Sequence, residues 1–128
     1  MVQCGEPAST VLLVEDEAGV RLLSKRILEK AGYRVVEAEN GEDAERVFGE
    51  LGGCIDLLVT DVMMPGCGGP ELARRLQRHA PALRVLYMSG YTEQSAVRNG
   101  GIDPDLPFVQ KPFTSADLIR QVREALDQ

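Results

Sequence analysis

Short apolar runs alternate with amphipathic segments along almost the whole chain. Five of these runs are predicted as strands because they are short and rich in β-branched residues: Thr10–Val14, Arg34–Ala38, residues 55–60, residues 84–88 and Phe108–Gln110. Helical spacing follows each of them, at residues 18–31, 42–51, 70–80, 92–98 and 114–126. This alternation predicts one α/β domain, a doubly wound parallel sheet with helices on both faces. Residues 1–9 are polar and are predicted as a flexible lead to a domain spanning residues 10–128.

Apolar spacing also predicts which side of each helix faces the sheet. The first helix carries its apolar residues on one side, at Val20, Leu23, Ile27 and Ala31. Gly32 is placed to end that helix, and Thr114 or Ser115 to cap the last one.

Composition excludes several classes of function. The net charge of -6 argues against binding of nucleic acid, which requires clustered Lys and Arg. Three cysteines without CxxC spacing favour a reducing compartment, so a cytoplasmic location is expected. No apolar run is long enough to span a bilayer, and no membrane association is expected.

Polar residues that could bind a ligand or take part in a reaction fall where the predicted strands end. Glu15 and Asp16 follow the first strand, Asp61 ends the third, Ser89 the fourth, and Lys111 the fifth. Because ligands of open α/β sheets bind at the carboxyl ends of the strands, these side chains are expected to meet in one crevice.

The charges in this crevice indicate a cation. Two carboxylates about 4 Å apart repel by roughly 4 kcal/mol at an effective dielectric constant of 20. Lys111 offsets only one of the three charges on Glu15, Asp16 and Asp61, whereas one Mg²⁺ brings the formal sum to zero. Mg²⁺ accepts few carboxylates and keeps positions open for water and phosphate. Beside such an ion, Asp61 is placed to attack phosphorus and become an aspartyl phosphate, with Ser89 and Lys111 near the transferred oxygens.

The ordered set of motifs resembles the receiver domain of two-component response regulators. The matching segments are Glu15-Asp16, Asp61-Val62-Met63-Met64-Pro65 with Gly69, Ser89, and Lys111-Pro112-Phe113. The resemblance implies a flavodoxin-like (βα)5 fold with strand order 2-1-3-4-5. It also implies that Asp61 is the phosphoacceptor, and that Glu15, Asp16, Asp61 and the backbone carbonyl of Met63 bind Mg²⁺.

The resemblance further implies a conformational switch. Ser89 is expected to move towards the phosphoryl group and Lys111 to bind it, while Phe108 turns inward. The surface that responds comprises the fifth strand and the helices on either side of it. Met63 and Tyr91 are expected to flank the path of the hydrolytic water and to slow loss of the phosphoryl group.

Partners and wider context follow from the same resemblance. A sensor histidine kinase or a histidine phosphotransfer protein is expected to supply the phosphoryl group. The sequence of residues 88–92 and 110–113 is similar to receivers at the C-terminal end of hybrid sensor histidine kinases, and a single-domain regulator is the other interpretation. The stretch 92–107 departs from the usual pattern because its helix is short and polar, so a monomer or weak dimer is expected.

Three alternatives stay open at this point. A magnesium-dependent phosphohydrolase would use the same aspartyl phosphate, but Met63 stands where such enzymes usually carry a second aspartate. A flavodoxin-like cofactor binder is disfavoured because Glu15-Asp16-Glu17 would repel phosphate. A docking domain that works without phosphorylation is the third. In the receiver interpretation the domain phosphorylates and dephosphorylates itself and turns over no separate substrate, so its standing as an enzyme is left open.

Overall fold

The computed structural model describes residues 9–62, 64, 66–89, 108–110 and 113–127, with the backbone alone at residues 89, 108 and 110. The described elements, in chain order, are β1 (Thr10–Val14), α1 (Ala18–Lys30), β2 (Arg34–Ala38), α2 (Gly41–Glu50), β3 (Leu57–Asp61), α3 (Gly69–Gln77), β4 (Arg84–Ser89), β5 (Phe108–Gln110) and α4 (Ser115–Leu126). The predicted helix at 92–98 lies outside the described residues.

All five strands form one parallel sheet in the order β2-β1-β3-β4-β5. The predicted α/β fold and strand order 2-1-3-4-5 are confirmed. The order in which strands are added to the sheet reverses between β1 and β3. After β1 the chain forms β2 on one side of it, and β3 then lies on the opposite side of β1. An open sheet of this kind binds ligands beyond the carboxyl ends of those two strands.

Two apolar cores sandwich the sheet. Leu12 and Val14 of β1 face a core completed by α2 and α3. Val11 and Leu13 face a core completed by α1 and α4. Because a strand in the middle of a parallel sheet is covered on both faces, β1 is apolar at four consecutive positions rather than at alternate ones.

The buried side of α1 differs from the predicted one. Its buried residues are Ser24, Ile27 and Leu28, whereas Leu23 is 53% exposed and Ala31 is exposed at the end of the helix. The prediction was wrong at Leu23 and Ala31 because two overlapping stripes with helical spacing share Ile27. The stripe that faces the sheet contains the polar residue Ser24, so the pattern of apolar residues did not reveal it.

Helix ends follow the expected chemistry. Thr114 caps α4, and its hydroxyl accepts a hydrogen bond from the backbone N–H of Asp117 at 3.0 Å. The Asp117 carboxylate in turn accepts the backbone N–H of Thr114 at 3.2 Å, and this bond is the main reason that the pKa of Asp117 is lowered. Gly32 ends α1 with φ of 99°. None of the described helices is long and apolar enough to cross a membrane.

Asp56 forms two hydrogen bonds with Thr10 at the amino edge of the sheet. Its side chain accepts the backbone N–H of Thr10 at 2.7 Å, and its own N–H donates to the carbonyl of Thr10 at 2.9 Å. Ile55 and Asp56 precede β3, which begins at Leu57, later than the predicted residue 55, and ends at Asp61.

Ser24 provides a test of the packing under α1. Its hydroxyl is buried, and the described part of the chain offers it no hydrogen-bond partner. A buried polar group without a partner costs free energy, and Ala also favours the helix. Ser24→Ala should therefore raise the free energy of unfolding by about 1 kcal/mol in urea titrations. Ser115→Ala, at an exposed helical position, is the matched control and should change it by less than about 0.5 kcal/mol. A less stable Ser24→Ala protein would contradict this account of the packing.

Candidate functional site

Three carboxylates meet at the carboxyl edge of the sheet. Each of Glu15, Asp16 and Asp61 offers an oxygen atom, and these oxygens all lie within 4.8 Å of one another. Glu15 is 0% exposed and Asp61 is 1% exposed, while Asp16 faces solvent. The structure thus brings together the three acidic residues that the sequence placed in one crevice.

The loop between β1 and α1 is held at both ends. The backbone N–H of Glu15 donates to the carbonyl of Ala38 at 3.1 Å, which ties the loop to the end of β2. Arg21 binds it from the helix side, since its backbone N–H donates to Glu17 at 2.9 Å. The Arg21 Nη1 donates to the carbonyl of Glu15 at 2.8 Å. The two loop carboxylates therefore project from a backbone that has little freedom.

Asp61 is positioned by its strand and by the loop that follows. It pairs with Met88 of β4, and the next backbone N–H, of Val62, donates to the Met88 carbonyl at 3.1 Å. The Asp61 carbonyl accepts the Thr60 hydroxyl at 3.1 Å. Gly69 lies so close that a Cβ atom there would stand 2.2 Å from the Asp61 carbonyl oxygen. Only glycine permits this approach of α3 to the end of β3.

The electrostatics of the cluster favour a hard divalent cation. At an effective dielectric constant of 20, two carboxylate oxygens 4.8 Å apart repel by about 3 kcal/mol. Two of the three groups are buried, where burial disfavours negative charge further. Carboxylate oxygens are the donors that Mg²⁺ and Ca²⁺ prefer, and three of them leave room for water or phosphate. The donor set therefore fits Mg²⁺.

The other predicted site residues are only partly described. Ser89 is the last residue of β4, directly beside β3, and its backbone pairs with Gln110. Phe108 begins β5 and its backbone pairs with Tyr87. Met63, Tyr91 and Lys111 lie outside the described residues. The strand order brings the ends of β3, β4 and β5 side by side, as the sequence predicted.

A cleft of about 590 Å³ opens beside Asp16, between the start of α2 and the loop after β3. Its rim carries Glu39, Glu42 and Glu45. Cys67 lies on its wall, where burial raises the pKa of the thiol. A raised pKa keeps this thiol protonated at neutral pH, so it is a poor nucleophile.

A family model of the response regulator receiver domain matches residues 11–123. The chain belongs to the response regulator receiver domain family. The chain is therefore a receiver domain of two-component signalling.

Relatives of this receiver domain occur in two settings. It is 41% identical over 121 residues to the sensor kinase CckA of Brucella abortus (strain 2308), covering 94% of this chain and 13% of the kinase. It is 34% identical over 117 residues to the response regulator receiver protein CpdR of the same organism, covering 91% of this chain and 95% of that protein. The receiver domain thus corresponds to a small part of the kinase and to nearly the whole of CpdR.

Solved receiver structures share the fold. The receiver domain from the hybrid histidine kinase CckA is 33% identical, with a TM-score of 0.75, covering 92% of this chain and 99% of that one. A response regulator receiver protein from Sinorhizobium medicae WSM419 is 34% identical, with a TM-score of 0.81, covering 94% and 96%. These matches confirm the flavodoxin-like receiver fold predicted from the motifs.

Sequence reasoning missed one residue of the site. The sequence pattern pointed to no role for Arg21, yet its guanidinium reaches the loop that carries Glu15. Its position four residues after Glu17 was the available signal, because that spacing returns a helical residue to the start of the helix. Arg21 has a second partner, the Glu37 carboxylate on β2, which lies 3.6 Å from its Nε. Glu37 is distant in the sequence and gave no signal.

Gly69 offers a direct test of the geometry around Asp61. Gly69→Ala places a methyl group against the Asp61 carbonyl oxygen, so α3 or the end of β3 must shift. We expect the free energy of unfolding to fall by about 2 kcal/mol, the scale of an overpacked site. Gly49→Ala is the matched control, because Gly49 is exposed in α2 with open space around it and should gain up to about 1 kcal/mol. Equal stability of the two variants in urea unfolding would contradict the close approach.

Proposed function

We propose that this receiver domain accepts a phosphoryl group on Asp61 and uses it to switch a partner-binding surface. The supporting observation is the meeting of a buried Asp61 with Glu15 and Asp16 at the carboxyl edge of the sheet. The proposed donor is a phosphohistidine of a sensor histidine kinase or of a histidine phosphotransfer protein.

The proposed reaction is one displacement at phosphorus. A carboxylate oxygen of Asp61 forms the new O–P bond while the P–N bond to the donor imidazole breaks, and the electron pair leaves with the imidazole. Glu15, Asp16, Asp61 and the backbone carbonyl of Met63 are the proposed ligands of Mg²⁺. When bound, Mg²⁺ would neutralise charge on the transferring oxygens. The chain's own contribution is to hold Asp61 in one orientation at the end of a buried strand.

Three further residues complete the proposed switch. Lys111 would bind the phosphoryl oxygens, Ser89 would donate a hydrogen bond to one of them, and Phe108 would take the space that Ser89 vacates. The placement of Ser89 at the end of β4, next to β3, supports its role. Met63 and Tyr91 are the residues proposed to slow hydrolysis of the aspartyl phosphate.

The wider setting is also a proposal. We place residues 10–128 in one receiver unit after a lead at residues 1–9, in the cytoplasm. The likeness to CckA supports a receiver attached to a hybrid histidine kinase, and the likeness to CpdR supports a receiver that works alone. In either setting we expect a monomer or weak dimer that binds no nucleic acid.

An apolar pair on α1 supports a docking site for the phosphodonor. Leu22 is 48% exposed and Leu23 is 53% exposed, and both belong to the second turn of the helix that follows Asp16. A rise of 1.5 Å per residue places Leu22 roughly 6 Å along the helix axis from Ala18, the first residue of α1. A shallow groove of about 620 Å³ continues from Leu23 towards Ile119 of α4. Exposed apolar side chains this close to the site favour contact with a protein donor.

The acceptor role of Asp61 can be tested with a small-molecule donor. Incubation with acetyl phosphate and Mg²⁺ should add one phosphoryl group to the wild-type domain, measured by intact-protein mass spectrometry. Asp61→Asn should remove the adduct, because an amide is a poor nucleophile. Asp127→Asn, a change at an exposed position at the end of α4, is the matched control and should keep the adduct.

Two results would contradict this proposal. One is an adduct of equal yield in Asp61→Asn. The other is an adduct of equal yield when Mg²⁺ is removed with a chelator.

The docking site is tested by comparing two donors. Leu22→Glu combined with Leu23→Glu should slow phosphotransfer from a phosphorylated histidine phosphotransfer protein at least tenfold, because burial of one leucine contributes about 1.5–3 kcal/mol. Labelling by acetyl phosphate should stay unchanged, since that donor needs no docking surface. Arg78→Glu, on the other side of the sheet, is the control. Equal slowing with both donors would show damage to the site, and no slowing with either would rule out docking at this pair.

A further inference from the structure

Arg21 connects the acidic loop to the neighbouring strand. Its Nη1 donates to the carbonyl oxygen of Glu15 at 2.8 Å, and its Nε lies 3.6 Å from the Glu37 carboxylate on β2. Its backbone N–H also donates to Glu17 at 2.9 Å. Arg21 therefore binds two carbonyls of the loop, those of Glu15 and Glu17, and links the loop to β2 through Glu37.

The guanidinium is held in a restricted environment. The Arg21 side chain is only 19% exposed, and its donors point in two fixed directions because the guanidinium is planar. Lys25, one helical turn further along α1, reaches the same Glu37 carboxylate at 3.9 Å. The two cations thus share one partner, and Arg21 joins that partner to the Glu15 backbone.

Arg21 has two opposing effects on a cation at the carboxylate cluster. Its positive charge repels a dication, which lowers affinity. Its hydrogen bond orients the backbone that carries Glu15 and Asp16, which raises affinity because the ligands are held ready. The Glu37 carboxylate faces the guanidinium and offsets part of its charge, so the orienting effect is expected to be the larger.

We propose that Arg21 is a positioning residue for the divalent cation, acting through the Glu15 backbone, with Glu37 as its anchor. This inference rests on the cation site of the proposed function and extends it to residues that bind no metal themselves. Loss of an outer contact to a metal ligand typically lowers affinity by 10–100-fold.

The test measures Mg²⁺ binding to the unphosphorylated domain by isothermal titration calorimetry, together with the urea midpoint. Arg21→Lys keeps the charge but loses the planar fork, and Arg21→Met loses both. Both should bind Mg²⁺ about tenfold more weakly than wild type. Glu37→Gln should weaken binding less, and Lys25→Met is the matched control that should leave affinity unchanged.

The outcomes separate positioning from charge repulsion and from a purely structural role. Tighter binding in Arg21→Met would mean that charge repulsion dominates and would overturn the proposal. A lowered urea midpoint with unchanged Mg²⁺ affinity would overturn it in favour of a purely structural role. Weaker binding in both Arg21 variants, with Lys25→Met like wild type, would support it.

Failure of this inference can be told from failure of the proposed function. If wild type binds Mg²⁺ and is phosphorylated while Arg21→Lys matches it, only the positioning role falls. If wild type binds no Mg²⁺, the proposed cation site is refuted, and the positioning role is refuted with it.

Discussion

Two buried carboxylates and a third exposed one meet at the carboxyl edge of the sheet and repel one another. Glu15 and Asp61 are almost fully removed from solvent, and their oxygens lie within 4.8 Å of each other and of Asp16. Such an arrangement persists only when surrounding structure holds the groups in place, and it makes the edge of the sheet a strong site for positive charge. The proposed cation would offset this repulsion.

The two apolar cores hold the strand ends that carry the acidic residues in fixed positions. β1 and β3 are adjacent in the middle of the sheet and covered on both faces, so the residues at their ends move little relative to each other. Contacts of the connecting loops complete the restraint. Arg21 fixes one loop from the side of α1, and Gly69 fixes the other by bringing α3 against the Asp61 carbonyl. The site is thus built on strand ends rather than on long loops.

Much of the fold could be predicted from the sequence because buried parallel strands are continuous apolar runs. The runs at β1 and β3 are unambiguous, and the residues that end them are carboxylates for which packing offers no reason. The motif set then supplied the strand order, which periodicity alone left open. Family membership and fold were predicted correctly, and the three acidic residues expected in one crevice do lie together.

What the sequence did not reveal depends on contacts between distant segments. The orientation of α1 was predicted wrongly at Leu23, because a buried serine occupies the side that faces the sheet. The role of Arg21 requires Glu37 to lie opposite it, and strand order alone does not determine that placement. The need for glycine at position 69 follows from a distance to Asp61 that no spacing rule supplies.

The residue that carries the phosphoryl group can be identified chemically. Borohydride reduces an aspartyl phosphate to homoserine, so tandem mass spectrometry of the reduced, digested protein identifies the modified carboxylate. We expect homoserine at position 61 alone, formed only when Mg²⁺ was present during phosphorylation. Homoserine at Asp16, or a reduced residue at Glu15, would show that the cluster is real but its acceptor misassigned. Modification outside the cluster would show that neither Asp61 nor its acidic neighbours accept the phosphoryl group.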